Sequence, residues 1–512
     1  MIVHIERKEL MEKHAIKLRF HWVTGCVAIL IWSLLIGLGF GDISQLGLDE
    51  RYELIKGWMV SEGFLLYEQV WNDQPPLHTL LLGALFKGFG PSTVVARVYA
   101  ALFGGVLMVA LIALPTKRGN LFAGMLVLFF WVMSPDAMFL SASVMLEIPA
   151  MACGLAAAWL VFVWGGQRHW GWLAAAGVVM GLALLVKLTS ALMLPAIGVE
   201  IIALAWRGSW RQGLGVVLRR SAIFAGGMIV VLALAVAVIP GMTATLLLSP
   251  HFSEATREET AGHSLQWAYL LDYPGMIYPA LIGLAAGVVF RAWPAIRFPA
   301  VLLATVAVVH TFHHPWWGYY IVHFGIPCAW LAGQGASVLW HELVEGNLKT
   351  GCFCRLKKVG YAFLISLMLS LGGVYGMSEL SATMNVAFLR NKHTETNPEI
   401  ASLLQYRDQT RWFYASNPIY AFYARLHVPP ELVLLPRKRF WAGQIDWDEV
   451  VTILGTYQPE QLLLSAGQMQ QPRWTAFVEG KYDIVFNNGR LIHYVARDLL
   501  HADTQPQTGG PK

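Results

Sequence analysis

The chain has 512 residues, of which 56% are hydrophobic and only 13% charged, with 21 tryptophans. A soluble globular protein carries about 25% charged residues, so this composition excludes an ordinary soluble domain. The net charge of +5 does not make a nucleic-acid surface, because the basic residues fall in separate short loops between apolar runs.

The opening stretch Met1–Arg19 mixes basic and acidic residues, and the 21 residues from Phe20 to Phe40 then run without Asp, Glu, Lys or Arg. That length suffices for one helical crossing of roughly 30 Å. The run is too long for a cleaved signal and the cationic stretch before it contains acids as well, which predicts a retained span. Similar runs recur near 93–114, 121–140, 148–165, 171–186, 189–206, 221–240, 274–290, 298–312, 320–340 and 359–378, about 11 spans in all. Lipid-facing backbone must satisfy its own hydrogen bonds, and runs this long predict helices rather than barrel strands. Pro76–Gly90 is apolar but short. Counting it as a span would put Lys117 and Arg118 outside, so it reads as an interfacial helix on the outer leaflet.

Charge asymmetry sets the orientation. The N-terminus and one alternate set of loops hold 18 of the 37 basic residues, whereas the other set holds four, Arg51, Lys56, Lys87 and Arg257. The basic set belongs inside. This predicts a multi-pass protein of the bacterial inner (cell) membrane, with a cytoplasmic N-terminus and outer loops at 41–92, 141–147, 241–273 and 312–319.

Residues 1–378 thus form a transmembrane domain, and the pattern then changes. "TRWFYAS", "ELVLLP", "EQLLLSAG" and "KYDIVFNNGRLIHYVA" look like short strands, with a hairpin turn at Asn488-Gly489 and amphipathic stretches such as "DWDEVVTILGTYQPE" between them. The expected fold class is an all-α polytopic membrane protein with a small exported α/β domain at 379–500 and a disordered tail at 501–512. The five cysteines fall in spans (Cys26, Cys153, Cys328) or in a cytoplasmic loop (Cys352, Cys354), so no disulfide framework is expected.

Polar groups in the outer loops are where chemistry is sought. The first loop carries Asp49-Glu50, then Arg51, Tyr67 and the pair Pro75-Pro76. The next carries Glu147 as its one charge, and Lys187 stands at the outer end of a span. Arg97, Arg257 and the aromatic-basic turn "HHPWWGYYIVHFGIP", with His314, Tyr320 and His323, complete the set. Carboxylates and cations together at a low-dielectric surface suit group transfer from a lipid phosphate. A cation there stabilises a leaving phosphate more than it would in water. A placed carboxylate accepts the proton of an attacking hydroxyl, typically for about 10²–10⁴-fold in rate.

The sequence resembles the GT-C superfamily of membrane glycosyltransferases, in the branch with the protein O-mannosyltransferases, the lipid A aminoarabinose transferases and the core galacturonosyltransferases. The resemblance rests on "LDERYE", Gly63 to Tyr67, Pro75-Pro76-Leu77, Phe89-Gly90, "ARVYAALFGG", "LEIPAM", "GLALLVKLTSALMLP", "HHPWWGYYIVHFGIP" and "YARLHVPPE", in that order over most of the chain. It implies an inverting enzyme that moves a sugar from a polyprenyl-phosphate carrier to a glycolipid, glycan or protein acceptor outside the cytoplasm. Asp49, Glu50 and Glu147 take the catalytic carboxylate positions, with Asp49 as general base. Arg51, Arg97, Lys187 and Arg257 take the donor-phosphate positions, and Tyr67, Pro75, Pro76, His314, Tyr320 and His323 line the substrate loops. The sequence departs from the aminoarabinose branch at Gln74, where that branch has a lysine before proline.

Each assignment has a structural competitor. Asp49-Glu50 also suits the cap of a loop helix, and Glu147 the acidic first turn of its span. Lys187 also suits snorkelling to headgroups, Arg97 interfacial anchoring, and "PWWGYY" an aromatic belt. No cofactor is fixed; a divalent metal is left open, with His313, His314 and His323 zinc-like by residue type but without a clear partner carboxylate. Two other functions compete: an oligosaccharide ligase with a longer lipid-linked donor, and a non-catalytic lipid-glycan transporter. The transporter predicts polar residues near the bilayer midplane, whereas here they cluster at one face.

Overall fold

The computed structural model describes residues 49–118, 120–206, 210–243, 247–248, 264–344, 352–390 and 397–502. The span expected at 20–40, Arg257 and most of the loop 241–273 lie outside the described residues. The chain divides into two compact units. One takes in Arg97–Ala235 and Thr260–Val386 with Met1–Gly41; the other joins Asp42–Ala96, Val236–Glu259 and Ala387–Lys512.

The first unit is helical. Six described helices are long and apolar enough to cross a membrane: Thr93–Lys117, Glu147–Gln167, Leu188–Ala205, Gly213–Val238, Trp293–Phe312 and Leu356–Ala382. Leu121–Val132, Trp170–Val186 and Pro274–Val289 are shorter apolar helices, and Ile321–Val344 is buried along most of its length. Helix starts follow local chemistry: the Asn120 side chain accepts from Ala123 N–H at 2.9 Å, and Pro274 opens its helix where its missing N–H costs nothing.

Two expected spans are interrupted. The run 121–140 forms Leu121–Val132 and then Ala137–Ala142, with Asp136 at φ 54° between them. Pro135 explains the break, since proline removes a helical N–H and pushes the residue before it out of the helical region. The run 189–206 opens as a 3₁₀ helix, Leu188–Met193, and becomes α-helical only at Leu194–Ala205.

Helices here pack through small residues, as lipid-embedded helices do when dispersion replaces the hydrophobic effect. A Cβ on Gly335 would stand 2.0 Å from Gly283 Cα, so Pro274–Val289 and Ile321–Val344 meet backbone to backbone. A Cβ on Gly177 would fall 2.0 Å from the Phe224 carbonyl oxygen, which brings Trp170–Val186 equally close to Trp210–Val238.

In the second unit, the loop helices Glu50–Ser61 and Leu77–Phe89 lie against each other, with Gly57 facing Leu82 and Phe86. The C-terminal region adds a four-stranded sheet of β1 (Phe413–Ala415), β2 (Gln461–Ser465), β3 (Tyr482–Asn487) and β4 (Leu491–Ala496), in the order β1-β2-β4-β3. β1 and β2 are parallel and the other pairs antiparallel. Gly489, at φ 80°, turns the β3–β4 hairpin where Asn488-Gly489 predicts it. Leu462, Leu463 and Leu464 of β2 are at most 1% exposed, each such side chain contributing about 1.5–3 kcal/mol by burial. "ELVLLP" is not a strand: Pro430–Leu432 is a 3₁₀ turn, because Pro429 and Pro430 supply no N–H to a ladder. The last described helix, Arg497–Ala502, runs two residues into the stretch expected as a tail; the rest of that stretch lies outside the described residues.

Candidate active site

The helical unit gathers Glu147, Lys187, Tyr319 and Tyr320. Glu147 opens the helix Glu147–Gln167 and is fully buried. Lys187 occupies the extended junction (φ −157°, ψ 134°) between Trp170–Val186 and the 3₁₀ turn Leu188–Met193. The break in helix at Lys187 aims its side chain inward, where Nζ forms an ion pair and hydrogen bond with Glu147 Oε1. The ammonium also lies over the Tyr319 ring at 5.1 Å and the Tyr320 ring at 5.5 Å, a cation–π arrangement. With 9% side-chain exposure, Lys187 does not snorkel in this arrangement.

His323 and Tyr320 belong to an aromatic stack that includes His310, which sequence reasoning missed because it sits in an otherwise apolar span. His310 Nε2 and His323 Nδ1 share a hydrogen bond of 3.0 Å, their rings stack at 5.2 Å, and Tyr320 stacks on both. His314 is half-buried, and its Nδ1 finds no hydrogen-bond partner among the described residues. Arg97, near the start of Thr93–Arg118, is only 1% exposed.

The second unit gathers the first-loop residues. Asp49 holds the N-cap position of Glu50–Ser61, yet its side chain makes no capping hydrogen bond. Its carboxylate is therefore not spent as a cap. Glu50 is fully buried in the first turn. Arg51 lies over the Tyr52 ring at 4.7 Å and donates to its hydroxyl. One turn on, Lys56 donates to Glu53 at 2.8 Å and to Asn72 Oδ1 at 3.0 Å. Tyr67, at φ 73°, donates its hydroxyl to the Gln74 carbonyl at 2.7 Å, and burial raises its pKa. That bond holds the segment leading into Pro75 and Pro76, both buried, and Pro76 starts the helix Leu77–Phe89.

Sequence reasoning also missed Lys438, which comes from the far C-terminal region and pairs with Asp73 beside Gln74. Burial pushes the Lys438 ammonium down to about 8, with Lys56 adding to the effect and Asp49 and Glu53 opposing it. "RKRFW" gives no periodic or motif signal that would mark it.

Among the described residues no group of three or more His, Cys, Asp and Glu is placed to hold a metal ion. His323 Nδ1 is engaged by His310, whereas His310 Nδ1, His314 Nδ1 and His323 Nε2 have no hydrogen-bond partner among the described residues.

Residues 73–250 match the family model described as Dolichyl-phosphate-mannose-protein mannosyltransferase. No curated protein matches the chain. Among solved structures, the chain is similar to ArnT from Cupriavidus metallidurans in the apo state, with 17% identity over 96% of this chain and 99% of that one and a TM-score of 0.59. The same ArnT bound to undecaprenyl phosphate matches at 16% identity, 96% and 99% coverage and a TM-score of 0.58. The Archaeoglobus fulgidus oligosaccharyltransferase in complex with Zn and sulfate matches at 12% identity, over 94% of this chain and 74% of that one, with a TM-score of 0.51. Residues 73–250 thus match a mannosyltransferase family model, and the chain shares the fold of the ArnT and oligosaccharyltransferase structures.

Proposed function

We propose that the protein is an inverting glycosyltransferase that moves a sugar from a polyprenyl-phosphate carrier to a glycolipid, glycan or protein at the outer membrane face. In this reading about 11 spans carry the transmembrane domain, with the region after residue 378 exported and the N-terminus cytoplasmic. The acceptor oxygen attacks the anomeric carbon, the bond from that carbon to the phosphate oxygen breaks, and polyprenyl phosphate leaves. Asp49 takes the acceptor's proton. Asp49 suits this role better than Glu50: Glu50 is fully buried, whereas Asp49 is half-buried and its carboxylate makes no cap bond. Lys187, Arg97 and Arg257 are proposed as cations for the donor, and Glu147 as the carboxylate that holds Lys187 until it is needed. Tyr320, His314 and His323 line the substrate path.

The observation that carries the proposal is the Asp49 carboxylate, uncapped at the start of Glu50–Ser61 and within electrostatic reach of Lys438. The polyprenyl donor follows the match to an ArnT structure bound to undecaprenyl phosphate. The test is transfer of labelled sugar by purified full-length protein from a polyprenyl-phosphate donor, with a nucleotide sugar as the comparison. Asp49→Asn keeps the side-chain shape but accepts no proton, so turnover should fall by about 100-fold or more. Near-normal turnover in both Asp49→Asn and Glu50→Gln would remove the general-base assignment. Transfer from the nucleotide sugar in carrier-free protein would remove the proposed function.

A further inference from the structure

Three lysine and arginine groups approach the first-loop carboxylates within the second unit, and they differ in what remains open on each. Lys56 is 1% exposed and spends its ammonium on Glu53 and Asn72. Arg51 is turned onto Tyr52, its own neighbour. Lys438 is different. Its side chain is 19% exposed, and Asp73 is the one partner it pairs with among the described residues. An ammonium carries three donors, so Lys438, on a partly exposed side chain, retains donors beyond the one it gives Asp73.

The local fold keeps that ammonium in place. Lys438 belongs to the short helix Arg437–Trp441. Its neighbour Arg439 is buried, donates to the carbonyls of Glu431 at 2.7 Å and Leu434 at 2.8 Å, and lies over the Trp71 ring at 5.1 Å. Trp71 in turn donates to Gln444 Oε1 at 3.2 Å. This clasp joins the C-terminal segment to the Trp71–Pro76 loop and delivers Lys438 beside Asp73. On the other side, Gln74 Nε2 donates to Asp73 Oδ2 at 3.0 Å. Asp73 therefore keeps a hydrogen-bond donor when the lysine turns to a ligand.

We propose that Lys438 is a phosphate-binding residue of the donor site, supplied by the C-terminal region to the first outer loop. The assignment rests on the glycosyltransferase reading for the identity of the ligand, a polyprenyl phosphate. Lys56 is committed to Glu53 and Asn72, Arg51 donates to Tyr52 and keeps a buried Nε without a partner among the described residues, and Lys438 adds a partly exposed ammonium-bearing side chain from the distant segment. Its charge is favoured by Asp49, Glu53 and Asp73 and opposed by Lys56, with Arg437 and Arg439 on its own helix.

The test compares binding of polyprenyl phosphate and of the uncharged polyprenol to detergent-solubilised full-length protein. Lys438→Met should weaken polyprenyl phosphate binding about 10- to 100-fold, the range for losing a hydrogen bond to a charged group. Polyprenol binding should stay unchanged, and Lys438→Arg should restore part of the difference. Wild-type affinity for the phosphate should fall as pH rises past about 8, where Lys438 loses its proton, and that fall should be absent in Lys438→Met. Unchanged phosphate binding in Lys438→Met overturns the assignment. So does an equal loss for polyprenol, which would make the lysine a support of the fold. Binding is read without turnover, so a failure to transfer sugar would count against the proposed function and not against Lys438.

Discussion

Exchanging Lys187 for Met removes one charge from a buried pair and leaves Glu147, fully buried, without its counter-ion. Glu147 Oε2 already has no hydrogen-bond partner among the described residues, so the stranded carboxylate gains no compensation. Breaking a buried pair from one side costs about 3–5 kcal/mol, because a lone charge stays in a poor dielectric. Removing both charges in Glu147→Gln/Lys187→Met takes away that penalty and should recover all but about 1 kcal/mol. Thermal unfolding of the single and double variants in one detergent reads the cycle, and donor binding in the same preparations separates fold from function. A stable double variant that has lost affinity for polyprenyl phosphate assigns Lys187 to the donor. A stable double variant that binds and transfers normally leaves the pair a brace between helices. Single variants that each cost under about 1 kcal/mol would refute the reasoning, since that is the value of a solvent-exposed pair.

Two further outcomes are expected. His493, buried between Ser402 at 2.7 Å and Gln461 at 2.8 Å, is pushed down to about 4 by burial. The folded state thus holds it neutral, and the C-terminal sheet should be fully stable above about pH 6.5 and lose up to about 3 kcal/mol as pH falls through 4. Hydrogen exchange in peptides covering β2 and β4 measures this, and exchange rates flat between pH 7 and 4 after correction for intrinsic rates would count against it. The charge asymmetry of the loops also predicts that a reporter active only outside the cytoplasm, fused after about residue 500, is active, while one in the loop near 207–220 is silent; the reverse pattern would overturn the orientation.

Much of the helical unit was legible because lipid leaves a long uncharged run few alternatives. The interruptions were harder to read. Pro135 lies inside a run whose apolarity continues on both sides, and hydropathy does not register a missing N–H. The hairpin at Asn488-Gly489 was legible from its turn chemistry, whereas "ELVLLP" was misread because burial of Leu432, Val433 and Leu434 imitates a strand. In the candidate site, Glu147 and Lys187 stood out as isolated charges, but their pairing across 40 residues did not. His310 was hidden by its apolar surroundings, and Lys438 by sequence distance: nothing local in "PRKRFW" points to a loop near residue 73. The union of residues 42–96 with the C-terminal region in one compact unit is a tertiary fact, set by contacts such as Trp58 stacked on His427 at 5.3 Å.

The choice of a lipid-phosphate donor over a nucleotide sugar has support from what the remaining acidic residues are doing. A nucleotide-sugar site needs its diphosphate neutralised, commonly by a metal held between carboxylates or by a glycine-rich turn at a helix start. The loops at 41–92, 141–147, 241–273 and 312–319 contain neither D-x-D nor G-x-G-x-x-G. The C-terminal region does contain one D-x-D, Asp446-Trp447-Asp448. Both of its carboxylates are committed: Asp446 caps the helix Trp447–Tyr457, accepting from the N–H groups of Asp448 and Glu449 at 2.8 Å each, and Asp448 pairs with Arg473 at 2.7 Å. A cap of this kind stabilises its helix by about 1 kcal/mol, and drawing both acids onto a metal would forfeit it. A single phosphate on a polyprenyl carrier asks less. It needs one or two ammonium or guanidinium groups at the membrane interface and a carboxylate near the acceptor, and Lys187, Lys438 and Asp49 are residues of those types.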